Sequence, residues 1–138
     1  MSLDSAMNHQ TITELGASLR QIDRKLLTPT TQKDNTRVWY QGGEPYFDLF
    51  VELRQGKIEW FQFTLRGKSL SWKLQPYSWQ TGTTNELHTD DFALYPASKL
   101  IESNRQLDWE FMELVHSILQ TRAGEPFFDQ ILSLFDYP

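Results

Sequence analysis

From Tyr46 to Arg54 the chain alternates without a break: Phe47, Leu49, Val51 and Leu53 fall on one side of an extended backbone, and Tyr46, Asp48, Phe50, Glu52 and Arg54 on the other. A period of two of this kind belongs to a half-buried antiparallel strand. Gln55-Gly56 follows and suits the positive φ of a tight hairpin. The next run, Lys57 to Arg66, does not hold one phase, because Ile58 and Trp60 share one side while Phe61, Phe63 and Leu65 share the other. Either a β-bulge near Trp60-Phe61 shifts the register, or the strand is buried on both faces, one under helices and one under another chain. Gly67-Lys68 then turns the chain into Ser69 to Leu74, where Leu70, Trp72 and Leu74 alternate with Ser69, Ser71 and Lys73. A short strand at Arg37 to Gln41, set off by the turn Gly42-Gly43-Glu44-Pro45, precedes these runs. Tyr77-Ser78-Trp79-Gln80 is either a further strand or a loop packed on the sheet, and Thr81-Gly82-Thr83-Thr84 reads as a turn. The pattern therefore predicts an antiparallel meander of four to five strands.

Helical spacing brackets the meander. Ile12, Leu15, Leu19, Ile22 and Leu26 recur at one helical stripe, with Thr11 and Glu14 spaced as a capping box. Gly16 costs such a helix about 1 kcal/mol relative to alanine, and Thr28-Pro29 should stop it. Asp90-Asp91 could cap a short turn of helix before Pro96, and Ala97 to Ser103 suits another short helix. In the last third, Asp108 is placed as an N-cap, with Glu110 and Glu113 favourable to the helix dipole. Leu107, Phe111, Leu114, Val115, Ile118 and Leu119 make the buried stripe of that helix. Gly124 stands at its C-terminal cap and Pro126 opens a second helix, whose Phe127, Phe128, Ile131, Leu132, Leu134 and Phe135 form a wide apolar face.

The fold expected is α+β: an N-terminal helix, the antiparallel meander, and a C-terminal helical hairpin packed on one face. Phe47, Leu49, Val51, Phe61, Phe63, Leu114, Ile118 and Ile131 are its expected core. Residues 11–138 would make a single domain. Residues 1–10 are set aside as a disordered start, with Met1-Ser2-Leu3 read as a leftover of expression because a second methionine, Met7, follows closely.

Composition narrows the functional classes. A chain of 138 residues fits one domain and can bury a core without staples. Cysteine is absent, which excludes disulfides and thiolate metal sites and agrees with a cytoplasmic setting. The polar start lacks the pattern of a signal peptide, and no apolar stretch reaches bilayer-spanning length. A net charge of −5 opposes nonspecific binding to nucleic acid or a membrane surface, so neither partner is expected. The charge is uneven: Arg54, Lys57, Arg66, Lys68 and Lys73 face only Glu59 between residues 54 and 73, whereas residues 86–138 hold ten acids against three bases. Packing of the two halves on each other is the simpler account; a basic sheet face that meets an acidic partner is the sharper one.

Motifs for chemistry are weak. Glu86, His88 and Asp90 would point the same way on an extended strand, where an imidazole and two carboxylates can hold a divalent cation. Such spacing arises readily in an acidic loop, and no metal or other cofactor is expected there. His116 lies off its helix stripe beside Trp109 and Met112 and should mark the rim of a surface covered by the last helix. No Gly-x-Ser-x-Gly elbow exists, and Gly42-Gly43 is too short to cradle a phosphate. Asp48, Glu52 and Glu59 sit on neighbouring strands, where pairs of carboxylates can do acid–base work. Their commoner role is a solvated sheet face, cross-paired with Arg54, Lys57 or Arg66. Aromatics among bases are the components of a single-strand nucleic-acid platform, but Arg66-Gly67-Lys68 does not match the RNA-recognition signature.

Trp60, Trp72, Tyr77 and Trp79 are hard to bury all at once. Tryptophan and tyrosine are enriched where proteins touch proteins, and a sheet that is apolar on both faces must be covered on both. The function expected is therefore a non-enzymatic protein-interaction or adaptor module that uses an aromatic sheet face, self-associating or bound to another protein. Those four residues are its candidate binding set. Burial of the rings by the chain's own loops stands beside this reading. So does a small-ligand-binding domain or enzyme with a pocket between the sheet and the C-terminal helices. Size, acidity and helix–sheet–helix order resemble those of small acidic secretion chaperones in layout, without a shared motif.

Overall fold

The computed structural model describes residues 7–22, 35–84 and 101–136. Helix α1 spans His9–Ser18. Strands follow at Arg20–Gln21 (β1), Asn35–Gln41 (β2), Asp48–Arg54 (β3), Lys57–Leu65 (β4), Lys68–Lys73 (β5), Ser78–Thr84 (β6) and Ile101–Ser103 (β7). Helices Trp109–Gln120 (α2) and Pro126–Leu134 (α3) complete the order. The strands form one antiparallel sheet in sequence order. The fold is α+β, as the patterning predicts.

The sheet is larger than four to five strands: six have three residues or more, and the two-residue β1 extends the edge. The extra length comes from two misread segments. Thr81–Thr84 is strand rather than turn, with Gly82 held in the ladder between Ser69 and Ser103. Threonine suits the pleated surface, and pairing on both sides outweighs the turn tendency of one glycine. Ile101–Ser103 is strand rather than helix because it adds to β6. Residues 85–100, and with them the capping role read for Asp90-Asp91, lie outside the described residues.

Both hairpins use two-residue turns with positive φ at each position: Gln55 (52°) and Gly56 (81°), then Arg66 (49°) and Gly67 (82°). This geometry carries the right-handed twist of the flanking strands through the turn. The second turn lies one residue earlier than the sequence suggests, because Leu65 pairs with Lys68.

The broken phase of β4 is a bulge. Glu52 pairs with Trp60 and Leu53 with Ile58, so Glu59 is the extra residue. Its carbonyl accepts from the Leu74 N–H at 2.9 Å. The bulge lies a step earlier than Trp60-Phe61, and the difference matters. Ile58 joins the side that holds Phe61, Phe63 and Leu65 and is buried there, while Trp60 is turned to the opposite side.

Helices pack on the first of these sides. Val38, Val51, Phe61 and Trp72 lie opposite one another across β2 to β5, and Leu49, Phe63 and Leu70 form the next row. Every residue of the expected core is buried. Asp108 caps α2, its Oδ1 accepting from the Phe111 N–H at 3.1 Å, and Pro126 opens α3. The Phe111 ring meets Phe63 at 6.4 Å, Phe128 meets Tyr40 at 5.1 Å and Phe135 meets Phe61 at 6.3 Å.

Helix α1 differs from its sequence reading at both ends. Asn8 is the N-cap, accepting from the Thr11 N–H at 2.8 Å, and Met7 before it is already buried. Structure thus begins inside the stretch set aside as a disordered start. The helix stops at Ser18, where Leu19 N–H donates to Gly16 O at 3.3 Å and the chain extends to pair Arg20 and Gln21 with β2. Its exposed carbonyls are met from the α2–α3 turn: Arg122 Nη1 donates to Gly16 O at 3.0 Å and to Leu19 O at 2.7 Å. A cation at a helix C-terminus also suits the dipole.

Candidate functional site

With the described helices gathered on one face, the other face of the sheet becomes the candidate site. Register defines its rows. Trp60, Lys73 and Ser78 lie side by side across β4, β5 and β6; Gln62, Ser71 and Gln80 form the next row; Thr64, Ser69 and Gly82 the third. Side-chain size shapes this surface. Serines on β5 and a glycine on β6 leave a low floor, flanked by the taller Trp60 and Gln62 on one side and Gln80 on the other. The result is a recess of about 240 Å³ lined by Trp60, Gln62, Ser69, Ser71, Lys73 and Gln80 among others.

Its chemistry is uniform. Among the described residues the lining carries hydroxyls, amides, one ammonium and two indoles, and no carboxylate. The side chains of Gln62, Ser69, Ser71, Lys73, Ser78 and Gln80 make no hydrogen bond or ion pair within the described residues. Trp72, which also borders the recess, is only 3% exposed, and its Nε1 is a buried polar atom without a hydrogen-bond partner among the described residues. Such groups normally carry a partner, because burying a polar group unpaired costs free energy.

Towards β2 the same face turns aromatic and then charged. Trp39 stacks on Phe50 at 5.4 Å, and its Nε1–H donates to Asp48 Oδ1 at 3.0 Å. Glu52 pairs with Arg37 at 3.1 Å, its direct neighbour on β2, rather than with Arg54, Lys57 or Arg66. Arg66 instead forks onto Glu44 with two bonds of 2.9 Å, and that hydrogen bonding holds the Glu44 carboxyl below the usual range. Lys68 reaches Asp108 at 3.0 Å, joining the basic stretch to the acidic third. Burial works against ionisation of Asp108, but the Phe111 N–H and the Lys68 ammonium outweigh it and hold its pKa below the ordinary value.

The four residues singled out from sequence divide between the two faces. Trp60 stands on the far face and lines the recess. The Trp72 side belongs to the helix-covered face, where it is buried against Phe61 at 6.4 Å. Trp79 is half-buried beside Phe135 at 4.9 Å and donates to the Tyr77 hydroxyl at 3.2 Å. Tyr77 is exposed in the β5–β6 turn, edge-on to Trp72. Sequence reasoning missed Gln62, Ser69, Ser71 and Gln80. Their signal was present as polar positions alternating with Phe61, Phe63, Leu70 and Trp72, but solvated positions look the same.

Two further expectations meet the structure. His116 packs its ring against Phe135 at 5.0 Å, but Trp109 is 60% exposed and is not covered by α3. Trp109 lies seven residues, about two turns, before His116, and α3 ends too soon to reach it. The space between the sheet and the C-terminal helices, where a ligand pocket was the alternative, is occupied by fully buried Phe61, Phe63, Phe111, Phe128, Ile118 and Ile131. Glu86, His88 and Asp90 lie outside the described residues, and among those described no group of three His, Asp or Glu could hold a metal ion. No described helix is long and apolar enough to cross a membrane.

Comparison with protein-family models, with curated proteins and with solved structures finds no match to this chain, so its function has to be read from the face just described.

Proposed function

We propose that this chain is a non-enzymatic protein-interaction module that docks a partner on the far face of its sheet and self-associates through it. One observation carries the reading: the Glu59 bulge directs Trp60 away from the helix-packed core, onto a face where the described helices do not pack. A half-buried tryptophan beside polar groups without partners is the composition of a contact surface, where aromatic anchors dominate binding energy. A specific dimer of this kind would bury roughly 1,200–2,000 Å² in total.

Sedimentation across a wide concentration range tests it. The expected outcome is a reversible dimer that Trp60→Ala weakens far more than it lowers monomer stability. A strict monomer removes self-association. If Trp60 is also shielded from a water-soluble quencher, by comparison with Trp60→Phe, the face is internal and the interaction reading falls with it.

A further inference from the structure

We propose that the recess on the far face seats a carboxylate-bearing peptide segment, an acidic stretch of a partner protein lying along β5. The inference rests on the reading of this face as an interaction surface, and does not need self-association.

Charge is the first argument. In a chain of net charge −5, the described residues that line the recess include Lys73 and no carboxylate, and Lys73 makes no ion pair within the described residues. Lys68, five residues earlier on the same strand, is already held by Asp108. Glu52, opposite Trp60 on the neighbouring strand, is occupied by Arg37. An ammonium left over between satisfied pairs is a place for a carboxylate from outside.

Hydrogen-bonding capacity is the second. Gln62 and Gln80 can present amide N–H groups, and Ser69, Ser71 and Ser78 can present hydroxyls, all towards one trough. Each of these can donate, and a carboxylate is an acceptor with room for several donors. A neutral sugar offers mainly O–H donors and is met best by carboxylate acceptors, which the described residues of this lining lack.

Shape is the third. From Ser69 to Lys73 the trough runs along one strand for about 14 Å, the length of roughly four extended residues. Trp60 flanks the trough beside Lys73 and offers an apolar wall to the residue next to the carboxylate.

The test is an NMR titration of the full chain with two synthetic peptides of equal length, a Thr-Glu repeat and a Thr-Gln repeat. The acidic peptide should shift the amides of Gln62, Ser69, Ser71 and Gln80 and lose affinity as salt is raised. Lys73→Gln should weaken it about tenfold, the scale of one charge-assisted hydrogen bond. Lys57→Gln, at the β3–β4 hairpin and away from the recess, should leave it unchanged. Ser71→Val, which fills the floor, should abolish binding while the remaining spectrum stays that of the folded chain. Equal binding of both peptides would leave the far face as an interaction surface and overturn the carboxylate assignment. Equal loss in Lys73→Gln and Lys57→Gln would reduce the effect to diffuse charge attraction and overturn it too. So would tighter binding of an oligothymidylate of matched charge, or the absence of any shift at these amides. Self-association is read separately, by sedimentation, so the two readings fail independently.

Discussion

Replacing Gly16 with alanine sets local helix propensity against tertiary packing. In an isolated helix the change is worth about 1 kcal/mol in favour of alanine. In this molecule α1 crosses the end of α2 at that residue. A Cβ on Gly16 would stand 1.8 Å from Thr121 Oγ1, 2.8 Å from the Ile118 carbonyl oxygen and 3.0 Å from Thr121 Cβ. None of these can easily give way. Thr121 Oγ1 is held by donating to Ile118 O at 2.6 Å, and the other two are backbone or fixed to it. Relief requires α1 to move off α2, which stretches the bonds from Arg122 to Gly16 O and Leu19 O. Overpacking of this kind costs about 1–3 kcal/mol, more than the propensity returns. Gly16→Ala should therefore destabilise by up to about 2 kcal/mol in urea melts followed by tryptophan fluorescence, with an unchanged m-value. Adding Thr121→Ala, which removes the closest atom, should recover part of the loss and give a coupling of about 0.5–3 kcal/mol in the double-mutant cycle. A Gly16→Ala variant as stable as the parent, or more so, would refute the close crossing of α1 and α2.

The remaining expectations concern the core, a turn and an ion pair. Phe63 is fully buried between Phe47 and Phe111, so Phe63→Ala should cost about 3–5 kcal/mol, and a loss under about 1 kcal/mol would remove it from the core. Gln55 adopts a left-handed conformation that asparagine tolerates better, so Gln55→Asn should raise stability by about 0.5–1 kcal/mol in the same melts; a decrease would contradict the turn geometry. The Asp108 pKa is lowered on folding, so its contribution is present above the unfolded value of about 3.9 and is lost as pH falls through the folded one. Asp108→Asn keeps a capping side chain but not the Lys68 pair, and should flatten the acid limb of stability against pH; an unchanged limb would show that the pair contributes nothing there.

What the amino-acid pattern alone determined is local. Alternation from Phe47 to Leu53 specified a strand and its buried side, Gly56 and Gly67 marked the hairpins, and Asp108 and Pro126 marked where two helices begin. These features follow from backbone geometry within a few residues, so they are legible without a partner. Tertiary pairing decided the rest. Ile58 and Trp60 share a phase on paper, and only the two-for-one pairing around Glu59 turns Ile58 inward and Trp60 outward. Thr81–Thr84 became strand because β5 and β7 lie on either side of it, and α1 ended early because Arg20 and Gln21 found β2. Lys68 and Lys73 are indistinguishable in sequence, yet one meets Asp108 forty residues on while the other lines a recess with no acid among the described residues. A period of two says that a strand has two faces. Which face receives the helices, and which charges are left over, is set by contacts between residues far apart in the chain, and those exist only once the sheet has closed its register.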